Sequence, residues 1–251
     1  VAASDGCPVD RYHGVAIVAA SKRSHVDEPA ANVLPIYFVA DESGSMANHI
    51  GELNAGLTSL LNKLQTEAMA ASKVRFCIIG FADDAQCYLE PSDLREVEQM
   101  PQLTDRGSTS YAAAFGELYR RIPHDVAKLK SQNYRVNRPA VFFLTDGQPN
   151  TGDTWEGPYD DLTSPTFGPH PNILAFGIGD VQASTIKRLA TRPEYAFIAA
   201  AGVDTGNAIA KFIKALTQSV INSGSALAGG QASQLPIEQP EGFLSLAVDE
   251  V

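Results

Sequence analysis

Three cysteines in 251 residues, none in a CxxC pair, leave this chain without a disulfide framework or a Cys-based zinc site. Five histidines show no HExxH or other zinc spacing, which removes the common hydrolytic metal motifs. The sequence also has no GxSxG elbow, no GxxxxGK[ST] loop and no GxGxxG opening a helix, so acyl transfer, P-loop chemistry and dinucleotide binding lose their usual signatures. No apolar run approaches the roughly 20 residues of a membrane helix. Positive charge is short too: 19 Lys and Arg stand against 29 Asp and Glu, a net charge of −10. That balance, with no basic stripe, argues against nucleic acid or an anionic membrane as partner. The first thirty residues lack the basic, apolar and cleavage regions of a signal peptide, so the expected location is cytoplasmic.

What is present is an ordinary globular composition, 44% apolar and 19% charged, sufficient for one substantial core. Val33 to Ala40 is a continuous apolar run too short for a comfortable helix, which suits a parallel strand buried on both faces. Leu53, Leu57, Leu60, Leu61 and Leu64 then recur at three- and four-residue spacing, predicting an amphipathic helix. Lys73 to Phe81 and Ala85 to Leu89 read as a hairpin across Ala82-Asp83-Asp84. A turn centred on Asp83-Asp84 places Cys77 and Cys87 on opposite faces as buried free thiols. Further helices are expected over 111–121, 126–130, 183–190 and 206–220, and further strands over 140–145, 172–178 and 195–200. The alternation predicts an α/β fold with a doubly wound, mostly parallel sheet and one antiparallel edge hairpin strand, flanked by helices. Residues 1–32 read as an extension with one possible strand at 14–20, 33–221 as the domain, and 222–251 as a Ser, Gly, Ala and Gln-rich linker and tail. The apolar residues between 235 and 246 could fold back onto the domain.

The chemistry concentrates where strands end. Asp41, Ser43 and Ser45 follow the first strand, with Gly44 permitting a tight loop. Gly107-Ser108-Thr109-Ser110 is a small-residue loop, and Asp146-Gly147 ends the 140–145 strand. Ligands bind outside the carboxyl ends of strands in such sheets, and hard oxygen donors gathered there suit Mg²⁺, with Mn²⁺ or Ca²⁺ as substitutes. Ser and Asp at single strand ends commonly cap helices or shape turns; three such loops in one order carry more weight.

That order, an acid with two alternate serines, a distant threonine and a second acid ending a strand, resembles the metal-ion-dependent adhesion site of von Willebrand factor type A (VWA) domains. The resemblance covers about 34–220, and the strings Phe142 to Gly147 and Phe176 to Gly179, with Trp155, resemble bacterial VWA proteins of tellurite-resistance clusters, the TerY type. Ser108 departs from the second glycine common in the family. The resemblance implies metal ligation by Asp41, Ser43, Ser45, Thr109 and Asp146, and a partner protein supplying an Asp or Glu to the ion. It implies a non-catalytic interaction module in a stress or tellurite-resistance complex, with a kinase or phosphatase of the same cluster among the partners. An adaptor for an AAA-type (MoxR or chelatase-like) ATPase is the rival. A haloacid-dehalogenase-like phosphohydrolase is the remoter one, since Ser43 stands where its second aspartate belongs. Around the loops, Asp105-Arg106 either orients the threonine loop or is a solvated pair. Asp83-Asp84 is expected as a hairpin tip, and His49 as a surface residue near the site. Trp155, Tyr159 and Phe167 either rim the ion or pack onto the domain.

Overall fold

The computed structural model describes residues 31–230 and 236–247. The expected strand at 14–20, with Cys7, His13 and His25, lies outside them. Eight strands and six helices follow in chain order: β1 Asn32–Asp41, α1 Ile50–Thr66, α2 Ala68–Ala71, β2 Val74–Phe81, β3 Ala85–Ser92, α3 Tyr111–Ser131 and β4 Arg135–Val136. Then come β5 Ala140–Thr145, α4 Glu156–Thr163, β6 Asn172–Gly177, α5 Ala183–Leu189, β7 Ala196–Ala199, α6 Thr205–Ala228 and β8 Phe243–Ser245. The sheet order is β3-β2-β1-β5-β6-β7-β8, with β4 pairing the start of β1. β1, β2, β5, β6 and β7 are parallel, and β3 and β8 are antiparallel edges.

β1 is apolar throughout because both of its faces are covered. Ile36, Phe38 and Ala40 pack under α1 and α6, and Tyr37 and Val39 face the α3, α4 and α5 layer. Since five strands run parallel, their carboxyl ends share one edge, and the loops after β1, β2, β5, β6 and β7 emerge together there.

The helix expected over 111–121 with a separate turn at 126–130 is one continuous helix through Pro123. Pro123 cannot donate to the carbonyl of Tyr119, but Tyr119 is exposed, and Leu118, Ile122 and Leu129 are buried on the helix face. The last helix reaches Ala228, past the expected end at Val220. Its Ser and Gly content is not linker chemistry. Ser219, Ser223 and Gly224 are buried, and a Cβ on Gly224 would stand 2.2 Å from the Ala70 carbonyl oxygen of α2. Small residues there let two helices approach closely. The tail does fold back: β8 pairs with β7, and Phe243 packs edge-on to Phe176.

The hairpin corrects the cysteine reading. Phe81 pairs with Ala85 and Ile79 with Cys87, so the turn centres on Asp83 alone. A half-residue shift of centre flips one strand's faces relative to the other. Cys77 and Cys87 therefore share a face, Cys77 buried and Cys87 half-buried.

Candidate metal centre

Asp41 is the last residue of β1 and is fully buried. Its Oδ1 accepts the Ser43 amide at 2.9 Å and its Oδ2 accepts the Thr145 hydroxyl at 2.6 Å. The adjacent strand and its own loop thus hold both oxygens in fixed directions. Ser43 and Ser45 hydroxyl oxygens are 3.0 Å apart, and Ser45 donates to Asp146 Oδ1 at 2.7 Å. The first and third loops therefore meet directly.

Thr109 reaches the same place by two backbone clamps. Its amide donates to Asn150 Oδ1 at 3.1 Å, and the Asn150 amide donates to the Thr109 carbonyl at 2.9 Å. Its hydroxyl oxygen lies 3.9 Å from the position of a Cβ on Gly147, beside Asp146. The Gly44 amide donates to the Gly107 carbonyl at 3.1 Å, tying the first loop to the second. All five expected residues lie in one three-loop cluster.

The supports around the cluster were not readable as such in the sequence. Glu42 is fully buried, and Arg106 donates to its Oε2 from Nε at 3.0 Å and from Nη2 at 2.8 Å. Arg106 also pairs with Asp84 at the hairpin tip, so it orients the threonine loop rather than standing in solvent. Ser108 takes the place of a glycine by bonding Asp83 and accepting from Asn150 Nδ2. Gly107 has φ +33°, and a Cβ there would meet the Asp83 carboxylate at 1.9 Å. Asp153 accepts the amides of Tyr111 at 2.7 Å and Ala112 at 3.2 Å, capping α3 from the third loop.

Two expectations resolve against the site. Trp155 is 4% exposed and packs on Tyr111, Phe115 and Tyr159, and partly buried Phe167 stacks on Tyr119, so these aromatics pack onto the domain. His49 is half-buried rather than on the surface, with Nδ1 lacking a hydrogen-bond partner, and it favours the charged form of Asp146.

The electrostatics of the two acids differ from those of Glu42. Burial raises the Asp41 carboxyl to about 6, against the lowering effect of its Ser43 and Thr145 hydrogen bonds. Burial likewise raises Asp146, opposed mainly by the Ser45 hydrogen bond. Neither forms an ion pair with Lys or Arg among the described residues. Two carboxylates and three hydroxyls offer only hard oxygen, the donor chemistry that Mg²⁺ takes. Among the described residues no three His, Cys, Asp or Glu gather to hold a metal; this cluster contains two acids, its other donors being hydroxyls.

Residues 36–148 match the profile of the family described as von Willebrand factor type A domain. No curated protein matches the chain. Among solved structures, proximal thread matrix protein 1 from the mussel byssus is similar at 20% identity and TM-score 0.51, over 76% of this chain and 47% of that one. The pilus adhesin SpaC from Lactobacillus rhamnosus GG is similar at 15% identity and TM-score 0.58, over 76% of this chain and 31% of that one. The chain thus spans less than half the length of either, and at these identities the likeness is one of fold. Sheet order and loop placement agree with the von Willebrand factor type A fold that the match over residues 36–148 indicates.

Proposed function

We propose that the domain is a non-catalytic protein-interaction module that binds a partner's Asp or Glu carboxylate through a divalent cation, Mg²⁺ first, with Mn²⁺ or Ca²⁺ as substitutes. Asp41, Ser43, Ser45, Thr109 and Asp146 would hold it. One observation carries the reading: Glu42 is buried beside Arg106, whereas Asp41 and Asp146 are buried with no Lys or Arg ion pair among the described residues. An uncompensated buried charge is costly, and a bound cation removes that cost. The ion would supply a positive centre for a foreign carboxylate. The Ser43 amide and Thr145 hydroxyl hold both oxygens of Asp41; that restraint suits a carboxylate kept partly back, so that hydroxyls do more of the ligation and positive charge is left for the partner.

The tellurite-resistance setting, a kinase or phosphatase partner and the AAA-type ATPase alternative rest on the sequence resemblance, and a cytoplasmic location rests on the layout of the first thirty residues. Calorimetric titration with Mg²⁺ tests the site, and capture of partners with and without EDTA, followed by mass spectrometry, tests the bridge. We expect one Mg²⁺ per chain, lost in Asp146→Ala, and capture that EDTA abolishes. Capture indifferent to EDTA and to Asp41→Ala refutes the proposal.

A further inference from the structure

The edge that holds the cluster is far more acidic than the rest of the chain. Asp41 and the loops 42–49, 82–84, 104–110, 146–155, 178–182 and 200–204 contain nine carboxylates and a single Lys or Arg, Arg106. That is a net −8, set against −10 for the whole chain. Arg106 offsets Glu42, and a divalent cation would offset Asp41 and Asp146. Six carboxylates remain in the loops of this edge: Asp83, Asp84, Asp105, Asp153, Asp180 and Asp204. Four of them have local tasks, since Asp83 bonds Ser108, Asp84 touches Arg106, and Asp153 and Asp204 cap helices. Asp105 and Asp180 are exposed, and their side chains make no hydrogen bond or ion pair among the described residues. At the other edge, where β2, β4 and β5 begin, stand Lys73, Arg75, Arg135 and Arg138.

We infer that the partner presents its ligand carboxylate from a basic surface, as an Asp or Glu flanked by Lys or Arg on a protein segment. The inference rests on the metal-bridge reading and adds the partner's charge to it. A carboxylate drawn to the ion must pass through a ring of like charge. At physiological salt, charges within about 8–10 Å still interact, which includes residues flanking a bound side chain. Lys or Arg beside the ligand turns that repulsion into attraction, roughly two- to threefold in affinity for each pair about 8 Å apart in water. It also speeds encounter, because opposite fields steer association. A partner with an acidic surround is rejected by the same ring, so the rim supplies the selectivity that a lone ion lacks.

The test is selection of a displayed random peptide library on the full chain in Mg²⁺, with elution by EDTA. We expect eluted peptides to share one Asp or Glu with two or more Lys or Arg within four residues. Changing those bases to Glu should weaken binding at least tenfold. Asp105→Asn with Asp180→Asn should weaken it about fivefold while Mg²⁺ titration stays within twofold of the parent. EDTA-eluted acidic peptides without basic enrichment, or indifference to the double variant, would overturn this inference and leave the bridge standing. Failure of any peptide to elute with EDTA would overturn the bridge and this inference with it.

Discussion

Asp41→Asn should make the metal-free protein more stable, although it removes a residue at the heart of the site. In the folded chain the Asp41 carboxyl is raised from 3.8 to about 6 by burial. Between those values the unfolded chain gives up this proton while the folded protein keeps it, so stability falls as pH rises through about 4 to 6. The difference of about two units amounts to about 3 kcal/mol, fully lost above pH 6. Asn is isosteric and uncharged, and its Oδ1 can still accept the Ser43 amide. Allowing for a rearranged contact with Thr145, the variant should gain about 2 kcal/mol in EDTA at pH 7.5, or about 4–8 °C in Tm. Near pH 4 the gain should vanish, because the parent is then protonated. Added Mg²⁺ should reverse the ranking: at a hundredfold excess over its Kd it stabilises the parent by about 2.7 kcal/mol and the variant little. Scanning calorimetry in EDTA and in Mg²⁺ at the two pH values measures all of this. A variant less stable than its parent in EDTA at pH 7.5, or equally stabilised by Mg²⁺, would refute the reasoning.

Arg106→Ala leaves Glu42 buried without its cation and should cost about 3 kcal/mol in urea unfolding, with most of the loss restored by adding Glu42→Gln. Gly224→Ala should destabilise by about 1–3 kcal/mol despite alanine's helix preference, because its Cβ meets the Ala70 backbone oxygen; a gain in thermal stability would contradict the close packing of α2 on α6. Phe243→Ala should cost about 3 kcal/mol by emptying the space beside Phe176 and Phe197, and no change in unfolding would mean that β8 does not hold the sheet edge. In the native protein a maleimide should label Cys87 well before Cys77, as read by peptide mass, and equal labelling would contradict the buried face of β2.

The meeting of the three loops was legible and the supports around them were not, for a physical reason. Asp41, Ser43 and Ser45 stand within five residues of each other at the end of an apolar run, so local pattern shows both the strand and the loop it delivers. Asp146 ends a parallel strand and so reaches the same edge, whereas Thr109 follows antiparallel β3, which ends at the opposite edge, and is brought back by the segment 93–110. Glu42 and Arg106 are 64 residues apart, and nothing near either in sequence says that one neutralises the other. Composition misled where small residues serve packing: Ser219, Ser223 and Gly224 resemble a linker until α2 is laid against them. Cys77 and Cys87 were misplaced by a turn centre half a residue away, since β pairing converts any such slip into a change of face. Pro123 stayed inside a helix because burial of its neighbours outweighed one missing hydrogen bond.

Under the proposed bridge, the same buried charges would also set the order of events at this edge. Without a cation, an incoming carboxylate meets Asp41, Asp146 and the ring of exposed aspartates, all of its own sign, with Arg106 already committed to Glu42 and Asp84. Partner binding before cation binding is therefore disfavoured by the excess of carboxylates at this edge. On the proposed reading, a cation that offset the two buried acids would make the foreign carboxylate a favourable addition, with the surrounding aspartates still favouring basic flanks. Because coupling between two ligands is reciprocal, the partner must tighten the cation by the factor through which the cation tightens the partner. Mg²⁺ titrated into the complex with a selected peptide should then show a lower Kd than Mg²⁺ titrated into the free chain. Equal values would mean that the two ligands do not share a site.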